Sequence, residues 1–206
     1  MQSVQISGDV RSDLGKKSTR EIRRSGNVPA VLYGAGDPVH FSVAPLSVRD
    51  IIYTPEFRLA EVTVNGNTHR AIVKEYQMHP VTDELIHIDF LALTDGHPVK
   101  VQVPVAFKGT SPGVRNGGKL QVAVRRIKIK ANPEHLVDKL MLDISDLTLG
   151  QSIRVRDIEV SDNIEIMNPG GQPVATVIVP RALRSAATAE KKAADAAAKA
   201  AAKEEV

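Results

Sequence analysis

The 206-residue chain contains no cysteine and no tryptophan, and only 3% of its residues are aromatic. The absence of cysteine excludes a disulfide framework, a thiol nucleophile and any zinc site built on thiolate ligands. No apolar run approaches the roughly 20 residues that a membrane-spanning helix needs, and residues 1–8 lack the basic start and apolar centre of a signal peptide. We therefore expect a cytoplasmic protein without a membrane partner.

Positive charge is concentrated in two segments, although the net charge is only +3. Residues 1–36 carry a net charge of +3, residues 108–131 carry seven bases and no acid, and residues 132–166 carry a net charge of −5. Clustered cations gain free energy by displacing counterions from phosphates, so the pattern indicates a polyanionic partner. For the second segment, the alternative is that about half of its charge pairs with the acidic stretch that follows.

Most of the sequence alternates apolar and polar residues with a period of two, which is typical of half-buried strands. Asn65-Gly66 separates two such runs and predicts a type I′ hairpin. Further strands are predicted at residues 85–91, 99–107, 120–131, 140–144, 153–160 and 174–179. Because proline cannot donate to a strand ladder, Pro104 predicts that its strand lies at a sheet edge.

The chain is thus predicted to be mainly β, and its length favours two domains. The turn-forming residues 94–98 provide the boundary, which gives domains at residues 1–95 and 96–182. Residues 183–206 form a low-complexity tail of alanine, lysine and glutamate without an apolar stripe. We expect this tail to be solvated, partly helical, and ordered only against a partner.

Two short helices are predicted in the first domain. Ser18 and Glu21 have the spacing of a capping box, so the first helix is expected to begin at Ser18 and to end at Gly26. The second is predicted over residues 45–53, with Pro45 in its first turn. Arg20, Arg23 and Arg24 share one face of the first helix, where they form either a phosphate-binding surface or a solvated basic face.

The strand at 85–91 places His87 and Asp89 about 7 Å apart on the face opposite Ile88 and Phe90. Three interpretations stay open for this pair: contact with nucleic acid or a neighbouring arginine, the solvated face of a half-buried sheet, or the dyad of a hydrolase. No motif links a nucleophile to the pair, which weakens the last interpretation.

Neither a cofactor site nor a metal site is predicted. Residues 113–119 approach a phosphate-binding loop, but Leu120 replaces the magnesium-binding hydroxyl and a strand pattern follows instead of a helix. The six histidines show no metal-binding spacing.

Several of these segments together resemble one known family across nearly the whole chain. They are Arg11, Gly15-Lys16, residues 20–34, His79-Pro80 and residues 85–90. They are similar to the bacterial large-subunit ribosomal protein twenty-five family, also called the general stress protein Ctc family. The glycine-rich stretch 113–118 and the charged tail are similar to the longer, two-domain members.

The resemblance implies a structural constituent of the large ribosomal subunit, with an N-terminal six-stranded β-barrel that binds 5S ribosomal RNA and a second all-β domain. It implies no enzymatic activity and no small-molecule substrate, and it adds neighbouring large-subunit RNA and proteins as partners. The RNA-contacting positions carried over by motif are Arg11, Lys16, Thr19, Arg20, Arg23, Tyr33, Gln77, His87 and Asp89.

The sequence departs from the family pattern at Lys17-Ser18 and at Asp83-Glu84, so fewer backbone contacts are expected near Asp83. For Tyr33, stacking on RNA and plugging the barrel are both open. Barrels of this kind also resemble an anticodon-binding domain. Transfer RNA or another structured RNA is therefore the alternative partner.

Overall fold

The computed structural model of the protein describes residues 2–34, 36–161, 163–181 and 185. It is mainly β, as predicted, and it divides into two compact units. The first comprises the described residues within 1–105, 126–140 and 160–168, and the second comprises the others. The boundary at residues 95 and 96 remains a prediction. The predicted tail at 183–206 lies outside the described residues, apart from Ser185.

Six strands of the first unit form a closed barrel, as the family resemblance implied. They are β1 (Ser3–Val10), β2 (Val28–Tyr33), β3 (Val39–Val43), β4 (Leu59–Val64), β5 (Asn67–Met78) and β6 (Leu85–Ala92). The strand order is β1-β3-β2-β6-β5-β4, and a parallel β1–β4 pair closes the ring. The β2–β6 pair is also parallel. Closure of this kind leaves no open edge along the barrel sheet.

The barrel interior is filled by the inward residues of all six strands. Phe41 and Phe90 are fully buried and pack with their ring centroids 5.8 Å apart. Gly8 lies directly against Phe41, since a Cβ added at Gly8 would collide with the Phe41 ring. The absence of a side chain at Gly8 therefore makes room for one of the two phenylalanines of the core.

The hairpin between β4 and β5 confirms the predicted type I′ turn. Asn65 and Gly66 have φ values of 52° and 78°, which are the left-handed conformations that this turn requires. The predicted second helix is α2 (Pro45–Ile52), with Pro45 at its start and Tyr53 as its C-cap.

The first helix, α1 (Lys16–Arg24), begins two residues earlier than predicted. Gly15 is the N-cap, and the Ser18 hydroxyl donates to the Asp13 carbonyl at 2.9 Å. The capping-box prediction was therefore wrong, because Ser18 lies within the first turn and reaches back to the preceding loop.

The end of α1 follows the prediction. Gly26 has a φ of 84° and donates to the Arg23 carbonyl at 3.2 Å, while the Asn27 amide donates to the Ile22 carbonyl at 3.0 Å. These two bonds form a Schellman motif, which requires the left-handed conformation that glycine adopts readily.

The described residues after the barrel contain two small sheets and a third short helix. The elements are β7 (Val99–Lys108), α3 (Pro112–Arg115), β8 (Lys119–Val122), β9 (Arg126–Ala131), β10 (Leu140–Asp143), β11 (Ser152–Arg154), β12 (Ile164–Ile166) and β13 (Pro173–Ile178). One sheet has the order β10-β7-β9-β12 and the other has the order β11-β13-β8.

Three predictions for this region were wrong in detail. Residues 120–131 are not one strand, because β8 pairs with β13 while β9 pairs with β7 in the other sheet. Residues 153–160 leave the extended conformation after Arg154, whose amide donates to the Asp157 carboxylate at 2.9 Å and closes a 3-10 turn. Strand β7 is not an edge strand but lies between β10 and β9. Its Pro104 is the last residue paired with β9.

We predict that Gly8→Ala destabilises the barrel, because the added methyl group must displace Phe41 in a filled core. The expected loss is about 1 to 3 kcal/mol in the free energy of unfolding, measured by urea denaturation. Gly171→Ala is the matched control, since nothing lies within 4 Å of its added Cβ. The control should change stability by less than about 0.5 kcal/mol. Equal stability of the two variants would contradict the role given to Gly8.

Candidate nucleic-acid interface

Strand β6 presents His87 and Asp89 on the outside of the barrel. Ile88 and Phe90 alternate with them and are fully buried in the core. His87 Nδ1 lies 2.7 Å from Asp89 Oδ1, and the two side chains are 26% and 33% exposed. The predicted placement on one outward face is thus observed, and the two side chains lean together until they touch.

The strands on either side of β6 extend this outward face. On β5, Gln77 lies opposite His87 and Glu75 lies opposite Asp89. On the other side, Asp89 neighbours Val31 of β2, and Val31 lies opposite His40 of β3. Residues at the same position across paired strands share a face, so this outward face runs across four adjacent strands and carries polar groups on β3, β5 and β6.

Helix α1 is bonded to the same part of the barrel. The Arg23 Nε donates to the Ile86 carbonyl at 3.1 Å, one residue before His87. This contact brings the basic helix and the His87–Asp89 pair to one outward surface. We call that surface, comprising α1 and the outward residues of β2, β3, β5 and β6 together with Arg11, the barrel face.

Arg11 follows β1 and lies against β3, where its amide donates to the His40 carbonyl at 3.0 Å. Its Nε and Nη1 atoms are buried, and neither has a hydrogen-bond partner within the described residues. Burial, and then the nearby charge of Arg23, lower the pKa of the Arg11 guanidinium. Two like charges are therefore held close together, which costs free energy unless an anion approaches.

Tyr33 lies on the outside of β2, since its neighbour Leu32 belongs to the core. Burial raises the pKa of the Tyr33 phenol, and the charges of Asp89 and Glu75 raise it further. The phenol is therefore close to both carboxylates. Its half-buried position on the outer face favours the stacking interpretation over a barrel plug, and contact with RNA stays a prediction.

The remaining predicted residues lie on α1. Lys16 and Arg20 are exposed, whereas Thr19 is half-buried and its hydroxyl donates to the Gly15 carbonyl at 2.9 Å. That bond occupies the Thr19 hydroxyl within the helix. A role for Thr19 in recognition therefore rests on the family resemblance alone.

Glu75 and His40 belong to the barrel face but were not predicted. The pairing of β5 with β6 shifts between Val73 and Glu75, where Lys74 has no opposite partner. This bulge reverses the alternation of side chains for the residues that follow it. Strict alternation counted from the β4–β5 hairpin would therefore place Glu75 on the wrong side of the sheet. His40 gave no signal because its strand, β3, was not predicted.

Comparison with known proteins places both parts of the chain among ribosomal proteins. Residues 6–90 match the Ribosomal L25p family, and residues 98–181 match the family described as Ribosomal protein TL5, C-terminal domain. The two matches together span most of the chain.

Relatives named large ribosomal subunit protein bL25 match along nearly their whole length. The Porphyromonas gingivalis protein is 44% identical over 189 residues, covering 91% of this chain and 98% of the relative. The Cytophaga hutchinsonii protein is 43% identical over 193 residues, covering 93% and 100%. The Bacteroides thetaiotaomicron protein is 36% identical over 194 residues, covering 92% and 98%.

The chain therefore belongs to the ribosomal L25p family of large-subunit ribosomal proteins. This confirms the resemblance seen in the sequence. It also overturns the hydrolase interpretation of His87 and Asp89, because the family consists of ribosomal structural proteins and not of enzymes. Within the described residues, no group of acidic or histidine side chains could hold a metal ion, and no helix is long and apolar enough to span a membrane.

We predict that Asp89→Asn lowers the pKa of Tyr33. A nearby carboxylate disfavours the tyrosinate, so removing its charge eases ionisation, while burial keeps the value above that of a free tyrosine. The shift can be followed by NMR titration of ring-labelled tyrosine. Asp50→Asn on α2 is the control and should leave the Tyr33 titration unchanged. The assigned geometry would be wrong if Asp89→Asn also left it unchanged.

Proposed function

We propose that this protein binds 5S ribosomal RNA through the barrel face. As a member of its family, the chain is a structural ribosomal protein of the large subunit, associated with the ribosome in the cytoplasm. Ribosomal RNA and ribosomal proteins are therefore its partners, and the proposal concerns which RNA this face recognises.

The single observation that carries the proposal is the bond from Arg23 to the Ile86 carbonyl. It anchors a helix rich in lysine and arginine beside the strand that presents His87 and Asp89. Cations suited to phosphate and polar groups suited to base edges thus share one surface, and this combination supports a role in RNA recognition.

The cations of this face would set the position of the RNA backbone. Burial, and then the charge of Arg23, lower the pKa of Arg11, so this part of the face disfavours a second positive charge in the free protein. A phosphate placed between or above them would relieve this repulsion and accept hydrogen bonds from the planar guanidinium groups. Lys16 and Arg20 are exposed on the same helix and add charge that attracts the backbone.

The groups on the strands would read the RNA itself. Gln77 and His87 offer both donors and acceptors, which suits 2′-hydroxyls and base edges in the wide, shallow minor groove of an RNA helix. Asp89 accepts hydrogen bonds and would orient His87 or accept from the amino group of a base. The raised pKa of Tyr33 keeps its phenol protonated as a donor over a wider pH range.

We predict that Arg20→Ala weakens binding to 5S ribosomal RNA and reduces the salt dependence of binding by about one counterion. Arg20 is exposed, so the fold should be unaffected. Filter binding at several salt concentrations gives both the affinity and the slope with which its logarithm falls against the logarithm of the salt concentration. Arg49→Ala is the matched control, because Arg49 is equally a solvent-exposed helical arginine but belongs to α2.

An unchanged slope and affinity for Arg20→Ala would count against contact at α1. Competition with bulk transfer RNA tests the identity of the ligand. The proposal expects 5S ribosomal RNA to be displaced only by a large excess of transfer RNA. Equal competition would identify a general structured-RNA binder instead.

A further inference from the structure

The sheet formed by β10, β7, β9 and β12 carries a second cationic surface, distinct from the barrel face. Val101, Val103, Ile127 and Ile129 are buried on one side of its two central strands. The alternating positions of β7 and β9 face the other side. In their register, Lys100 lies opposite Lys130, Gln102 opposite Lys128, and Pro104 opposite Arg126.

This arrangement is unfavourable for the isolated sheet. Like charges directly opposite each other on antiparallel strands destabilise the pair, and Lys100 and Lys130 are such a pair. Glu165 of β12 approaches Lys130 to 3.0 Å. It is the one acid at the outward positions of residues 99–104, 126–131 and 164–166. Lys100, Arg126 and Lys128 are exposed.

A cleft of about 350 Å³ adjoins these cations within the first unit. Its polar walls hold four cations, Arg58, Lys74, Lys100 and Arg126, against two acids, Glu56 and Glu75. Glu56 lies 3.6 Å from Arg58, so their charges largely offset each other. The Lys74 ammonium group donates to the Lys100 carbonyl at 3.1 Å, which ties β5 to β7 at the cleft.

The cleft also offers an apolar wall and an aromatic ring. Ile51, Ile72 and Val101 contribute apolar lining, and Tyr76 also lines the cleft while 41% of the residue remains exposed. A basic groove with an aromatic side chain is the combination with which proteins hold single-stranded nucleic acid, since the cations follow the backbone and the ring stacks on a base.

We propose that this cleft and the adjoining cations Lys100, Arg126 and Lys128 bind a single-stranded segment of RNA. A peptide of acidic residues alone would be attracted by the same charges but would leave Tyr76 and the apolar wall without a contact. Tyr76 lies opposite Ile88 while Gln77 lies opposite His87, so these two neighbours on β5 face different surfaces, whereas Glu75 belongs to the barrel face and also borders the cleft. The proposal does not depend on recognition of 5S ribosomal RNA by the barrel face.

The test uses the full chain and a fluorescein-labelled decamer of uridine, with binding followed by fluorescence anisotropy. We expect the double variant Lys100→Gln, Lys128→Gln to bind the decamer about tenfold more weakly. The slope of the logarithm of the binding constant against the logarithm of the salt concentration should become shallower by about 1.4, the value for two phosphate contacts on a single strand. Tyr76→Ala should weaken binding at least about fivefold through lost stacking, and Tyr76→Phe should retain it.

The matched control is the double variant Arg115→Gln, Lys119→Gln, which removes the same charge from exposed residues of the second unit. An equal loss of binding in the two double variants would overturn the proposal, because it would show attraction by net charge alone. Equal loss with Tyr76→Ala and Tyr76→Phe would exclude stacking and overturn it as well.

Two further measurements distinguish the cleft from the barrel face and from a surface that binds acidic proteins. Arg20→Ala should leave binding of the uridine decamer unchanged, and a loss would place the probe on the barrel face instead. A polyglutamate peptide of equal charge should compete only weakly. If it competes as well as unlabelled decamer, the surface binds an acidic protein and the RNA proposal is wrong.

Discussion

The burial of Ile88 and Phe90 inside the barrel is the constraint on which the barrel face depends. Because side chains alternate along a strand, burying these two residues forces His87 and Asp89 to the outside. A slip of one residue would reverse every side chain of β6 and would place two polar groups in the core at a large cost. The packing that stabilises the barrel thus also orients the candidate recognition pair.

The geometry of α1 supplies the second half of this surface. Its Schellman motif stops the helix at a fixed residue, and the bond from Arg23 to the Ile86 carbonyl fixes it beside β6. The result is a free protein in which Arg11 and Arg23 repel each other and buried guanidinium atoms have no partner among the described residues. Such arrangements cost stability, and a bound polyanion would offset that cost. On the cationic sheet surface of β7 and β9, Lys100 and Lys130 lie opposite each other, so like charges are again held close together.

Local patterns in the sequence predicted the features that depend on short-range geometry. The outward placement of His87 and Asp89 followed from alternation, and the β4–β5 turn followed from the left-handed preference of Asn65-Gly66. The order of the barrel strands did not follow from these patterns, and the closed six-stranded barrel was expected only from the family resemblance. Parallel pairs such as β1–β4 join residues far apart in sequence, and no local signal marks them.

Where prediction failed, a contact that the local pattern does not mark had overridden that pattern. Residues 120–131 alternate along much of their length, yet the two halves pair with different strands, and the amides of Ala123 and Val124 both donate to the Val174 carbonyl at the break. The bulge in β5 moved Glu75 onto the barrel face, and the Asp13 carbonyl drew Ser18 away from a capping role. None of these contacts is marked by the alternation or the capping pattern on which the predictions were based.

The most direct test of the barrel face is an NMR titration of the isotope-labelled chain with 5S ribosomal RNA. We expect the backbone amide signals most affected to belong to α1 and to the outward residues of β2, β3, β5 and β6. Changes concentrated on α2 and β4, with the signals of His87 and Arg23 unmoved, would contradict this expectation.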